Sequence, residues 1–226
     1  MRPIDNIIEL VTDRRQSTRL EAWIDRLYFH RCGVDSKTGI VLGYDARSIS
    51  DHFTGRNSQY PEVAKTTGGE NAYSLMVGGD LGPPEYDGRI WQCLPISEIG
   101  YHARRFGSKR GVGIGLIFDG RNRPASPSQY ASAVDLAAHL CVGYDLYPYR
   151  DCIGHGEDPT AHDGSKAPGK PNACPGDLLD MGQLRDDIAL AVAGIDENAR
   201  RRQTYTDPKE IKARAKDSLV KAGMVF

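Results

Sequence analysis

The chain lacks the features that mark several common classes of protein. Its 226 residues contain no apolar run of the roughly 18 to 20 residues that a transmembrane helix needs, and charged side chains interrupt residues 1–20. We therefore expect neither membrane insertion nor a signal peptide. The chain also lacks a basic excess, because 29 Lys and Arg oppose 30 Asp and Glu for a net charge of −1. Nucleic acid is accordingly not an expected partner, since binding to phosphates needs a basic surface.

Cysteine is sparse, and its spacing argues against a disulfide framework. The 5 cysteines are odd in number, widely separated and without a Cys-x-x-Cys pair. This pattern fits synthesis in a reducing compartment, where disulfides are rare. We expect the cysteines that have no role in a site to fill the core as small apolar residues.

The chain does contain enough apolar sequence for a folded core, with 39% hydrophobic and 26% charged residues. A chain of this length is expected to bury one core and to carry appendages. After Gly194 the composition changes to a polar stretch with three consecutive arginines. We therefore predict an N-terminal extension at residues 1–20, a main domain at 21–194 and a C-terminal accessory helical segment at 195–226.

The local patterns predict both strands and helices. Short apolar runs that end at turn residues predict strands, and apolar residues three or four positions apart predict helices. The predicted strands are Arg26–His30, Ala72–Val77, Arg89–Leu94, Val112–Phe118 and Cys152–Ile153. The predicted helices begin at Ser126-Pro127, span Asp177–Ala193 and run from Asp207-Pro208 to Gly223, while residues 45–71 are expected to form a helix and a long surface loop. Because the two types are mixed along the chain, we expect an α/β fold with a single mixed β-sheet flanked by helices.

Two histidines and one cysteine are candidate metal ligands. His30 ends the first predicted strand, His155 follows the last one, and Cys174 precedes a Pro-Gly turn. Two imidazoles and a thiolate suit Zn²⁺, and three protein ligands leave one tetrahedral position for water or substrate. Taken singly, each residue has an ordinary alternative as a buried histidine or a small apolar cysteine.

Several short motifs follow one another in a definite order. They are Leu27-Tyr28-Phe29-His30, then Tyr73-Ser74-Leu75-Met76-Val77 with Asp87-Gly88-Arg89-Ile90-Trp91-Gln92, then Tyr101-His102-Ala103 with Val112-Gly113-Ile114-Gly115, and finally Gly154-His155 with Ala173-Cys174-Pro175-Gly176. Together they resemble the zinc-dependent N-acetylmuramoyl-L-alanine amidases of the amidase-2, or peptidoglycan recognition protein, family, and its phage endolysins in particular. The resemblance extends from Leu20 to Ala193 and implies the fold of that family.

The resemblance also implies an activity and a site. It implies His30, His155 and Cys174 as ligands of one Zn²⁺ per chain, Tyr73 as a catalytic residue and His102 as a residue that lines the substrate groove. The implied partner is bacterial peptidoglycan, in which the amide bond between N-acetylmuramic acid and L-alanine is cut. Without an export signal, the expected location is synthesis in the host cytoplasm followed by action on the cell wall. The oligomeric state stays open.

Two positions depart from the family pattern. Amidases of this type often carry a lysine two positions before the last ligand, where this chain has Asn172, with Lys170 two residues further back. Either side chain can stabilise an oxyanion, so both are candidate catalytic residues. Gly115 stands where a second branch of the family has a glutamate, so the chain fits the tyrosine branch. Glu157 and His162 are alternative proton shuttles on the same loop.

Other functions stay open on the sequence alone. The loss of the family lysine at Asn172 is compatible with a catalytically weak or inactive peptidoglycan-binding module of the same fold. A third alternative is a purely structural zinc, although such sites usually have four protein ligands. His52 and His139 are expected to be structural residues.

Overall fold

The described part of the protein forms one mixed six-stranded sheet with helices packed against it. The structure, a computed structural model, describes residues 7–8, 24–32, 73–81, 84–92, 96, 100, 102–103, 106–120, 122–158, 174–201, 216–217 and 219–221. The strands are β1 (Ile7–Ile8), β2 (Arg26–Cys32), β3 (Leu75–Val77), β4 (Ile90–Gln92), β5 (Gly111–Ile117) and β6 (Cys152–Gly154). The helices are α1 (Phe106–Arg110), α2 (Pro127–Tyr144), α3 (Pro148–Asp151) and α4 (Met181–Arg201), and short 3₁₀ turns cover Pro84–Tyr86 and His155–Glu157.

The strand order across the sheet is β1-β4-β3-β5-β2-β6. Only the β3–β4 pair is antiparallel among these pairings, and the others are parallel. The antiparallel pair is the hairpin that the turn chemistry of Asp87-Gly88 predicts, and Gly88 has a positive φ of 78°. The expected α/β fold with a single mixed sheet is therefore confirmed.

The central strand β5 has different residues on its two faces. Its sequence alternates glycine with apolar residues, and successive side chains of a strand point to opposite faces. Val112, Ile114 and Leu116 all join the main core with apolar residues of α2 and α4. The opposite face therefore carries Gly111, Gly113 and Gly115, and this bare face is where the candidate site lies.

Helix α2 begins where its sequence predicts. The Ser126 side chain accepts a hydrogen bond from the Gln129 backbone N–H at 3.0 Å, and Pro127 occupies the first turn, where a missing N–H costs nothing. The Gln129 side chain then donates to the backbone oxygens of Val77 and Ile117, at 2.8 and 3.1 Å. These two bonds tie the start of the helix to the ends of β3 and β5.

Helix α4 begins four residues later than predicted. The Asp180 carboxylate accepts hydrogen bonds from the backbone N–H groups of Gly182 and Gln183 at 2.8 and 3.1 Å, so Asp180 caps the helix rather than a residue near Asp177. Leu178, which lies inside the predicted helix, precedes the observed one and is 41% exposed. The helix also continues past Gly194, to Arg201.

The predicted helix and loop of residues 45–71 lie wholly outside the described residues. The predicted terminal helix lies partly outside them, and its start at Asp207-Pro208 is in the part that is not described. Residues 216–217 and 219–221 are helical, and Leu219 lies fully buried in the main core. Among the residues that the structure describes, no helix has both the length and the apolar character of a membrane span.

Candidate metal centre

Strand β2 carries His30 to the site face of the sheet. Leu27 and Phe29 enter the main core, so the alternating residues Tyr28 and His30 face the other way. His30 pairs in register with Gly115 of β5, and Tyr28 pairs with Gly113. A Cβ atom at Gly113 would lie 2.5 Å from Cγ of His102. Because glycines have no side chain, this face of β5 leaves room for the aromatic and imidazole rings to pack.

His155 is positioned by the strand that precedes it and by a locked turn. Strand β6 pairs with β2, with Gly154 opposite Phe29, and His155 opens the 3₁₀ turn that follows. The Glu157 carboxylate accepts a hydrogen bond from the Gly154 N–H at 2.7 Å and forms an ion pair with Arg185. Glu157, an alternative shuttle on the sequence alone, thus closes the turn that presents His155.

A second buried bond secures the other end of this turn. The Tyr28 hydroxyl donates to the Asp158 carboxylate at 2.5 Å, and Arg26 lies 3.6 Å from the same oxygen. Burial and the carboxylate raise the pKa of Tyr28 far above 10.0, so the phenol stays a donor. These two residues are 130 positions apart in sequence, and no local pattern predicts the pairing.

Cys174 reaches the site on a loop that docks against the end of β5. The Gly156 N–H donates to the Cys174 carbonyl at 2.7 Å, and the Arg31 N–H lies 3.4 Å from Sγ of Cys174. Gly176 adopts a φ of 120°, and a Cβ atom there would lie 2.3 Å from the Gly120 oxygen. Only glycine fits this close approach, which explains the Pro-Gly turn after the cysteine.

The three predicted ligands converge. The ligating atoms of His30, His155 and Cys174 all lie within 4.8 Å of one another, and Sγ of Cys174 is 4.0 Å from Nδ1 of His30. Tetrahedral zinc, with bonds of about 2.0 to 2.3 Å, separates its donors by about 3.3 to 3.6 Å. The group thus needs to contract by only about 1 Å to hold Zn²⁺, and its two nitrogens and one sulfur suit that ion. His30 is buried while the other two are partly exposed, so the centre opens to one side.

Burial favours the neutral form of His30, which is the form that binds a metal. Burial lowers the pKa of His30 well below its usual 6.5, and the charges of His155 and His102 lower it further. Burial also lowers the pKa of His102 to about 4, although its hydrogen bond to Gly111 opposes the shift. Burial raises the pKa of the Cys174 thiol above 9.0, against the influence of Arg31. The thiol would therefore release a proton when it binds a metal.

His102 lies beneath His30 rather than on an open surface. Its side chain is only 7% exposed, its Nδ1 is 3.2 Å from Nε2 of His30, and its Nε2 is 2.9 Å from the Gly111 oxygen. Contact between His102 and substrate stays a prediction. The sequence analysis did not predict the hydrogen bond between His102 and His30. The signal that could have indicated it is the glycine pattern of β5, which leaves space for a ring.

Tyr73 lies beside His30. Its ring centroid is 4.9 Å from that of His30, and the residue is partly exposed.

Other predicted residues lie outside the part of the chain that the structure describes, so their roles stay predictions. They are Lys170, Asn172, His162 and His52. The remaining described histidine and two core cysteines behave as expected. His139 is buried in α2 with Nδ1 2.8 Å from the Asp135 oxygen, and Cys141 and Cys152 are buried free thiols.

Comparisons with known proteins identify the family and agree with this fold. The family model described as N-acetylmuramoyl-L-alanine amidase matches residues 35–177, which include His155 and Cys174 and begin five residues after His30. No curated protein sequence shows significant similarity to the chain.

Three solved structures are similar in fold. The endolysin amidase LysCS from Clostridium intestinale has a TM-score of 0.52 at 16% identity, covering 82% of this chain and 98% of its own. The Ph2119 endolysin from a Thermus scotoductus bacteriophage has 0.50 at 18% identity, covering 77% and 92%. The peptidoglycan recognition protein PGRP-SA of Apis mellifera has 0.50 at 18% identity, covering 78% and 91%. At these identities the likeness establishes the fold.

Proposed function

The chain belongs to the N-acetylmuramoyl-L-alanine amidase family, and on that premise we propose that it is a zinc-dependent peptidoglycan amidase. Its reaction is hydrolysis of the amide bond between N-acetylmuramic acid and the L-alanine of the stem peptide. The observation that carries this proposal is the convergence of His30, His155 and Cys174 within 4.8 Å from separate parts of the chain. One Zn²⁺ per chain is the proposed cofactor.

The chemistry requires a nucleophile for an unreactive carbonyl and a proton for the departing amine. A bound zinc supplies a Lewis acid that polarises the carbonyl and lowers the pKa of water towards about 7. His30 and His155 would hold the ion as neutral imidazoles and Cys174 would hold it as a thiolate. The partial exposure of His155 and Cys174 gives substrate an approach to the centre.

Tyr73 is the proposed hydrogen-bond donor to the oxyanion that develops on the carbonyl. Its ring is adjacent to His30, and the residue is partly exposed. Lys170 and Asn172 are alternative donors from the loop that precedes Cys174, the lysine as a cation and the asparagine as a neutral amide. The role of His102 is proposed separately below.

The biological role that fits this activity is cell-wall lysis of the endolysin type. Two of the similar solved structures are described as endolysins, one of them from a bacteriophage. We propose that the protein is made in the host cytoplasm and acts on the bacterial wall, with peptidoglycan as its partner.

The direct test is digestion of purified peptidoglycan by the zinc-loaded full chain. We expect new L-alanine amino termini and free muramoyl lactyl groups to appear, and both to disappear after chelation and return with zinc. Cys174→Ala should abolish zinc binding and cleavage, whereas Cys141→Ala, which removes a buried thiol from the core, should retain both in the folded protein. Cleavage that is unaffected by chelator and by Cys174→Ala would overturn the mechanism.

The same assay separates an inactive binding module from an enzyme. Asn172 in place of the family lysine is the feature that favours such a module. A module would bind muropeptides without any new amino termini after long incubation, while clear turnover excludes it.

A further inference from the structure

Three groups form a continuous hydrogen-bonded chain beneath the candidate metal centre. Nε2 of His30 lies 3.2 Å from Nδ1 of His102, and Nε2 of His102 lies 2.9 Å from the backbone oxygen of Gly111. Both rings are almost completely buried, at 1% and 7% exposure. The chain ends on a carbonyl, which can only accept a hydrogen bond.

This end group determines where the protons are. Because the Gly111 oxygen accepts, Nε2 of His102 carries a proton, and Nδ1 of a neutral His102 is then an acceptor. Nε2 of His30 must consequently donate its proton to His102. The remaining lone pair of His30 is on Nδ1, the atom that lies 4.0 Å from Sγ of Cys174.

The position of the His102 ring is fixed by the sheet as well as by its bonds. A Cβ atom at Gly113 would lie 2.5 Å from Cγ of His102 and 2.8 Å from its Cβ, so the ring rests directly on a bare part of β5. Its centroid is 5.2 Å from those of Tyr28 and His30. A ring packed in this way has little freedom to turn or to move away from His30.

We propose that His102 is a positioning residue that holds His30 in the Nε2-protonated tautomer and aims its Nδ1 at the metal. This inference rests on the proposed zinc site and adds a residue that acts through a ligand. Partners of this kind fix the orientation of a histidine ligand and raise its basicity, and their loss typically weakens metal binding 10-fold to 100-fold.

The test compares two substitutions that differ in one property. His102→Asn keeps an acceptor close to the position of Nδ1, in the form of its side-chain oxygen. His102→Leu removes the acceptor and fills the space with an apolar side chain. His139→Gln is the matched control, because His139 is a buried histidine that bonds a backbone oxygen within its own helix. Zinc affinity is measured by competition with a chelator, and cobalt-substituted protein reports the ligand geometry by absorption.

We expect His102→Leu to bind zinc 10-fold to 100-fold more weakly than the wild type and to show an altered cobalt spectrum. His102→Asn should stay close to the wild type, as should His139→Gln. Equal affinity in His102→Leu and the wild type, or equal losses in His102→Asn and His102→Leu, would overturn the inference. If the wild type binds zinc without cutting peptidoglycan, the proposed function fails while the inference is still decided by these affinities.

A second measurement needs no substitution. Long-range proton–nitrogen NMR of the zinc-loaded wild type distinguishes the two imidazole tautomers. We expect a proton on Nε2 of both His30 and His102. A proton on Nδ1 of His102, or on Nδ1 of His30, contradicts the proposal even if the leucine variant fails to fold.

Discussion

At the scale of single residues, His30 joins the candidate site to the sheet. It contacts Cys174 across the metal centre, His155 through ring packing and His102 through its second nitrogen. The three ligand candidates were predictable from the sequence because their types and order match a known pattern. The hydrogen bond between His30 and His102 was not, because it depends on how β2 and β5 lie beside each other.

The first residue-scale prediction concerns Tyr73. Tyr73→Phe should lower the rate of amide cleavage on the order of 100-fold to 1000-fold, because one hydrogen-bond donor to the oxyanion is lost. Zinc affinity should stay unchanged, since Tyr73 is beside the ligands and is not one of them. Steady-state cleavage and zinc competition measure the two effects.

Tyr130→Phe is the control for this substitution. It removes a hydroxyl that bonds Asp187 at 2.7 Å, on α2 and α4, and should leave cleavage by the folded protein intact. Wild-type cleavage by Tyr73→Phe, or a loss of zinc in that variant, would contradict the role proposed for Tyr73.

At the scale of elements, the sequence predicts what depends on local chemistry. The start of α2 followed from Ser126-Pro127, and the central strand followed from its apolar run. The predicted start of α4 was wrong because Asp177 and Asp180 are both suitable caps, and which of them begins the helix depends on tertiary packing. The bond between Tyr28 and Asp158 had no local signal at all.

Strand β5 yields a prediction about its bare face. Gly113→Ala should weaken zinc binding about 10-fold, because the new methyl group would occupy the place of the His102 ring. Overpacking of this kind should also lower the free energy of unfolding by about 1 to 3 kcal/mol. Zinc competition and urea unfolding give the two values.

The control for Gly113→Ala is the same substitution at a glycine with space around it. No described atom lies within 4 Å of a Cβ placed at Gly194 in α4. Gly194→Ala should therefore be neutral or stabilise the protein by about 0.5 to 1 kcal/mol, with unchanged zinc affinity. Zinc affinity in Gly113→Ala equal to that of the wild type would refute the proposed packing of His102.

Helix α3 yields a prediction about pH. Burial alone would raise the pKa of Asp151, but hydrogen bonds from Arg150 and from the Tyr147 N–H, each at 2.7 Å, hold it below 3.8. The stabilisation is complete above the unfolded pKa, about 3.9, and is lost as pH falls through the lower folded value. Asp151→Asn should therefore cost about 1 kcal/mol at neutral pH and much less near pH 3.

Urea unfolding at the two pH values tests this expectation. Asp177→Asn is the control, because Asp177 is exposed, and it should change stability by less than about 0.5 kcal/mol at either pH. A cost for Asp151→Asn that does not shrink with falling pH would show that the carboxylate charge is not responsible.

At the scale of the whole molecule, residues near the C-terminus share the main core. Leu219 is fully buried in that core, and Lys216 lies over the Tyr144 ring at 4.6 Å from its centroid. On its sequence alone, such a segment is compatible with wall targeting, oligomerisation or packing against the main domain. These contacts favour packing against α2.

Leu219→Ala should therefore lower the free energy of unfolding by about 2 to 5 kcal/mol, as for other large-to-small changes in a core. Its neighbour Val220 is 52% exposed, and Val220→Ala should cost less than about 0.5 kcal/mol. Urea unfolding compares the two variants. A negligible cost for Leu219→Ala would mean that the segment does not stabilise the folded chain.

The central claim is that one zinc ion is held by two imidazoles and one thiolate, with a fourth position open for chemistry. X-ray absorption at the zinc edge of the metal-loaded protein measures this most directly. We expect one sulfur at about 2.3 Å and three nitrogen or oxygen donors at about 2.0 to 2.1 Å. A spectrum without sulfur, with more than one sulfur, or with four protein donors would contradict the account.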